Sequence, residues 1–143
     1  MERSAALLLL VTPHMFCRTI GFSFLVPGVV STELPRVFAA PAAYGDFVAA
    51  ILAIVSVVSL AKRFRLAVPL VWIFNVWGGA DLLNAIYQGN MGAKIDPGTL
   101  GAAFYIPTAV VPPLLVTHSL VFWILLQRKD RTADLRDRKA LER

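Results

Sequence analysis

Charge is scarce in this chain. Only 16% of its 143 residues are Asp, Glu, Lys or Arg, while 57% are hydrophobic, and the mean hydropathy is +0.67. A water-soluble domain of this size carries more charge on its surface, so the shortage points to lipid as the solvent. Cysteine is nearly absent too. The lone Cys17 cannot form an internal disulfide, lies in an apolar stretch, and reads as a small buried hydrophobe. Histidine occurs twice, at positions 14 and 118, and no Cys/His spacing of the zinc type is present. Aromatic and basic residues do not interleave, which argues against a nucleic-acid partner. The net charge of +5 is local: seven of the fourteen Lys/Arg and four of the nine Asp/Glu lie between Gln127 and Arg143.

What is abundant is apolar sequence, in four segments. The first spans about residues 5–26 and ends at Pro27-Gly28, where a helix breaks. Its charged start and hydrophobic core resemble a secretory signal, but no small-x-small site follows, so cleavage is not expected. Starting this helix at Thr12-Pro13 instead would leave residues 5–11 without a place. Residues 31–43, with Pro35, Pro41, Glu33 and Arg36, read as a loop. The second span follows at about 44–61, with Gly45, Ala49, Ala53 and Ser56 at helical spacing. Such a small-residue stripe lets helices approach closely and is compatible with a homo-oligomer. After the basic loop Lys62-Arg63-Phe64-Arg65 comes a third span, about 66–87. Residues 88–101 read as a turn-rich loop. The fourth span, about 102–126, contains Pro107, Pro112 and Pro113, which predict a kink. Residues 127–143 form a charged tail, partly helical and placed to rest on anionic lipid through Arg128, Lys129 and Arg131. The expected fold is all-α: a polytopic membrane protein with a four-transmembrane-helix bundle.

Topology follows from the Lys/Arg bias. Lys62, Arg63 and Arg65 precede span three, and Arg128, Lys129 and Arg131 follow span four, whereas the opposite loops offer Arg36 and Lys94. The positive-inside rule therefore places both termini in the cytoplasm of a cell inner (plasma) membrane. Tyr44, Tyr87 and Tyr105 fall at outer ends and Trp123 near an inner end, as interfacial belts require.

Arg18, Asp46 and Asp81 are the charged residues within the four apolar segments. A charge at mid-bilayer costs about 2.5–3.5 kcal/mol, so such residues turn inward and find partners. Counted from the outer ends at about 1.5 Å per residue, Arg18 and Asp81 lie at one depth, roughly 9–12 Å down. They are the expected pair, with Asp46 and Asn84 nearer the mouth. Trp77, Asp81, Asn84 and Gln88 share one helix face that could line an outward-facing cleft. His14, Asn75 and His118 form a deeper layer, and His14 lies four residues from Arg18 on the same face.

Three functional classes fit this pattern besides a purely structural polar network. One is a binding or transport bundle built on Arg18, Asp46, Asp81 and Asn84. Another is an intramembrane enzyme using Asp81 and His118 as acid and base, with Asn75 orienting. The third is axial ligation of a b-type haem by His14 and His118; no other cofactor is called for. Gly78-Gly-Ala-Asp81 resembles the Gly-x-Gly-Asp motif of intramembrane aspartyl proteases, but Ala80 replaces the second glycine and Tyr44-Gly-Asp46 is not their Tyr-Asp. The phrases Phe38-Ala-Ala-Pro-Ala-Ala-Tyr-Gly-Asp46, Asp81-Leu-Leu-Asn-Ala85 and Val111-Pro-Pro-Leu-Leu-Val-Thr-His118 resemble a type of uncharacterised bacterial membrane protein. That resemblance implies no activity.

Overall fold

The computed structural model describes the backbone from Arg3 to Leu141 and the side chains of residues 3–127. All regular structure among them is helical: α1 (Arg3–Val11), α2 (His14–Cys17), α3 (Arg36–Ala61), α4 (Ala67–Tyr87) and α5 (Val111–Leu141), joined by tighter or wider helical turns. Arg3 donates to the Leu125 carbonyl at 3.5 Å, so the chain's start and the far end of the fourth segment lie together. That end, with the 62–66 turn, is called proximal here, and the opposite end distal.

The first segment runs from Arg3 to Leu25 but is not one α-helix. Pro13 has no N–H to donate, so the ladder lapses there. Thr12 stays bonded to the Leu8 carbonyl through its N–H and its hydroxyl. From Arg18 to Leu25 the backbone tightens to a 3-10 helix. Three residues per turn stack positions 18, 21 and 24 along one line. Arg18, Gly21 and Phe24 are its buried residues, one above another against the bundle. The segment ends before Pro27, and Gly28 takes a positive φ of 86°.

α3 begins at Arg36 rather than near Tyr44. Pro35 sits extended just before it, and Pro41 in the second turn removes only one ladder bond near an end. Residues 36–43 are therefore helix, not loop, and Asp46 moves well inside the segment. Ala49, Ala53 and Ser56 are fully buried within the chain's own bundle, so the stripe packs α3 inward. Arg63 closes α3 with a left-handed turn: Phe64 donates back to Ser59 and Arg63 to Leu60. α4 then buries Ala67, Val71, Phe74, Asn75, Gly78, Gly79 and Leu82, one continuous helical face.

The distal connection is more structured than a turn-rich loop. A π-helical turn covers Gln88–Gly92, a 3-10 stretch covers Pro97–Phe104, and a second π turn, Ile106–Val110, leads into α5. Pro112 and Pro113 cannot donate to the carbonyls four residues back, and the backbone widens just before them. The 3-10 stretch reverses at Gly101 (φ 51°, ψ −130°), a conformation that L side chains avoid. Two backbone bonds tie this connection to the end of the first segment: Ser31 N–H to Thr99 O and Ala102 N–H to Val29 O, both 2.9 Å.

Three segments are long and apolar enough to cross a membrane: Arg3–Leu25, Arg36–Ala61 and Ile106–Gln127. This composition marks a membrane protein. α4 has the length but is not among the three, because Asn75, Asp81 and Asn84 lower its hydropathy. α5 continues as helix to Leu141. The expected lipid contacts of Arg128, Lys129 and Arg131 fall outside the described side chains.

The core is layered along the bundle. A proximal apolar cluster joins Leu7, Val11, Leu60, Val71, Phe74, Val121 and Leu125. A distal one joins Phe24, Phe38, Leu82, Leu100, Ile106 and Leu114. Between them lie His14, Arg18, Asp46, Asn75 and His118, all buried, with Asp81 beside them.

Candidate functional site

Arg18 is the hub of that middle layer and has no exposed surface. Its Nη1 donates to Asp46 Oδ1 at 2.6 Å and to Asp81 Oδ2 at 2.9 Å. Nη2 donates to the Gly78 carbonyl at 2.6 Å and lies 3.0 Å from His118 Nε2. A guanidinium has no acceptor, so Nε2 must accept and the His118 ring proton sits on Nδ1. Nδ1 lies 2.7 Å from Asn75 Oδ1, and Asn75 Nδ2 returns a bond to the His118 carbonyl at 3.1 Å. The chain of donors thus runs consistently from α4 to α5 and back to the first segment.

His14 sits one turn below Arg18. Its Nε2 is 2.8 Å from Thr117 Oγ1, whose own proton goes to the Leu114 carbonyl at 2.8 Å. Nε2 therefore donates. The other nitrogen, Nδ1, is buried without a partner, as are Arg18 Nε and Ser56 Oγ. Burying one cation among two carboxylates is tolerable because five contacts converge on it. Removing it would strand the carboxylates in a low-dielectric layer.

Glycines make the space. A Cβ on Gly21 would strike the Asp46 carboxylate, and one on Gly45 the Asp81 carboxylate. At Gly78 a Cβ would come within 2.7 Å of His118 Cε1 and 3.0 Å of Arg18 Nη2. Each of the first three segments thus has a glycine where a polar side chain of a neighbour crosses.

The expected residues fall into three groups. Arg18 and Asp81 meet, and Asp46 joins them rather than standing at a mouth, because α3 starts earlier than its prolines indicate. His14, Asn75 and His118 pack as one deeper layer. Trp77 and Asn84 stay outside: both are exposed, and Trp77 Nε1 donates to the Gly45 carbonyl at 3.3 Å. Their face lines a surface groove with Tyr44, Gly45 and Val48 of α3. Gln88 belongs to the distal π turn. The face read as the wall of a cleft is therefore a groove on the flank. Asp81 alone of that face also reaches the interior.

The interior holds a cavity of about 410 Å³ in the distal half. Phe24, Phe38, Leu82, Leu100, Phe104 and Val111 supply apolar wall, and Asp46 and Asp81 lie at its polar end. The distal connection roofs it through Ile95, Pro97 and Leu100, and the second π turn adds Pro107 and Thr108.

Other chemistries fit the geometry less well. Asp46 and Asp81 share a cation, whereas an aspartyl dyad shares a proton. Asp81 and His118 each bind Arg18, and His118 is 2% exposed. The two imidazoles touch edge to face, centroids 4.5 Å apart, which leaves no space for a porphyrin between them. Among the described residues no group of three or more His, Cys, Asp or Glu is placed to hold a metal ion.

Residues 1–126 match the model of a family described as a domain of unknown function (DUF8737). No curated protein and no solved structure matches the chain.

Proposed function

The chain belongs to this family of unknown function, so its role must be read from its own geometry, and we propose that it is a four-span membrane protein that binds a small, mostly apolar molecule inside its bundle. The cavity carries this reading. At about 410 Å³ it lies within the range of small-molecule sites, roughly 300–1,000 Å³, and it has their usual make-up: an apolar wall with a few convergent polar groups.

α4 serves as the fourth span. Its 21 residues cover about 31 Å, enough for the hydrocarbon core. Asn75 is fully buried and Asp81 is bonded to Arg18, so the surface α4 turns to lipid is carried by Ile73, Val76, Trp77, Leu83 and Ile86. Lys62, Arg63 and Arg65 at the proximal end put that end, and both termini, in the cytoplasm of the plasma membrane. The cavity then lies toward the opposite face, and Arg18, Asp46 and Asp81 close its inner end.

Native mass spectrometry of the protein released from membranes in mild detergent tests the reading. A bound small molecule is expected on the wild-type protein and not on Ala85→Trp, whose indole would fill the cavity. A bare wild-type protein, or an adduct that survives in Ala85→Trp, would sink it.

A further inference from the structure

The cavity's polar groups differ in what they have left to offer. Arg18 holds both carboxylates through one nitrogen, Nη1, and spends Nη2 on Gly78 and His118. One oxygen of each carboxylate, Asp46 Oδ2 and Asp81 Oδ1, therefore makes no hydrogen bond. Asp46 is 8% exposed and lines the cavity, so a nearly buried carboxylate with an unused oxygen stands at its polar end. Thr108 has already turned its proton to the Phe104 carbonyl, and Asn90 gives an amide proton to Ile86. No Lys, Arg or His lines the wall.

The charge balance points the same way. With His118 accepting from Arg18, one guanidinium stands against two carboxylates, and the ionised triad is negative by one charge. An anionic ligand would meet repulsion with no cation to receive it. A neutral apolar ligand would leave the oxygens unpaired in a dry site.

We propose that this end of the cavity takes the protonated amino or amidino group of a small amphipathic amine, whose apolar body fills the space between Phe24, Phe38, Leu100 and Phe104. The proposal rests on the reading of the cavity as a ligand site and adds the chemical class. A charge-assisted bond to each unused oxygen would complete both carboxylates. The amine could belong to a free metabolite or to a lipid headgroup, since both present the same donor.

Three probes of one shape separate the outcomes: 4-phenylbutylamine, 4-phenylbutanol and 4-phenylbutyrate. Each is titrated against the full chain in phosphatidylcholine nanodiscs, and the unfolding midpoint is followed by tryptophan fluorescence. A ligand that binds only the folded state raises the midpoint. The amine should bind roughly tenfold to hundredfold more tightly than the alcohol, the worth of a hydrogen bond to a charged group. The butyrate should not shift the midpoint, and Ala85→Trp should abolish the amine's effect. Asp46→Asn and Asp81→Asn should each narrow the gap between amine and alcohol. If added phosphatidylethanolamine suppresses the amine's shift, the source is a headgroup; if it does not, a free amine. Equal binding of alcohol and amine, or a preference that survives both Asn variants, overturns the amine class and leaves the cavity reading standing. If none of the three probes binds, both fall.

Discussion

The proximal and distal halves of this bundle are built from the same four segments, yet they pack differently. In the proximal half the segments are ordinary α-helices, and Leu7, Val11, Val71, Phe74 and Val121 lie at 1% exposure or less. In the distal half the first segment narrows to a 3-10 helix, α4 ends in a π turn, and α5 is preceded by another. The cavity of about 410 Å³ is there. Regular helices with matched small and large residues close on one another. Helices that change pitch cannot stay in register with their neighbours, and the mismatch leaves room. Irregular backbone at membrane depth is tolerated where it lines such a space or is buried in protein. The polar layer marks the border between the two regimes: Arg18 is the first residue of the 3-10 stretch.

The sharpest way to break this division is to remove its border. Arg18→Met leaves the Asp46 and Asp81 carboxylates buried without their cation. A loss of about 3–5 kcal/mol is expected, read as a collapse of folded yield and of the unfolding midpoint in detergent. A variant that folds as well as wild type would show that the layer is not held by charge.

Next comes a paired truncation across the border. Leu7→Ala opens a hole in the tight proximal cluster and should cost about 2–5 kcal/mol. Leu100→Ala only enlarges a cavity that already exists, so its cost should stay near the transfer term alone, about 1–2 kcal/mol. Chemical unfolding of both variants gives the comparison directly. Equal losses would mean that the distal half packs as tightly as the proximal.

The smallest effect is also the most local. Gly78 and Gly79 are neighbours in α4, but a Cβ at Gly78 runs into His118 and Arg18, while one at Gly79 meets only Phe122 Cε2 at 3.9 Å. Gly78→Ala should therefore destabilise by about 1–3 kcal/mol. Gly79→Ala should be neutral or stabilise by up to about 1 kcal/mol, since alanine favours helix. Thermal midpoints measured side by side would decide it.

Much of the framework was legible in the sequence. Apolar run lengths located the long segments, and the cost of a charge in lipid singled out Arg18 and Asp81 as partners, which lie 2.9 Å apart. Asp46 was misplaced because Pro35 and Pro41 look like loop residues, although a proline near a helix start removes little. The face shared by Trp77, Asp81 and Asn84 followed correctly from helical spacing. Spacing, however, does not say which neighbour a face meets, and most of this one met the flank of α3. The glycines at 21, 45 and 78 carried a signal that went unused: each lies within a few residues of a polar residue, or of the position a polar residue crosses. The change to 3-10 pitch at Arg18 left no trace in composition. The roof over the cavity was hidden because Ile95, Leu100 and Phe104 are scattered among Gly and Pro, and a pattern of turns conceals an apolar underside.

One modest feature governs how long anything could stay inside. The roof is fastened across the bundle by the two backbone bonds between residues 29–31 and 99–102, and Gly101 has no side chain to hold them apart. Entry or exit through the distal end requires this fastening to part, and the parting need not disturb Arg18 or its partners. Dwell time and affinity are thereby separable: the carboxylates set how tightly a guest is held at equilibrium, and the clasp sets how often the door opens.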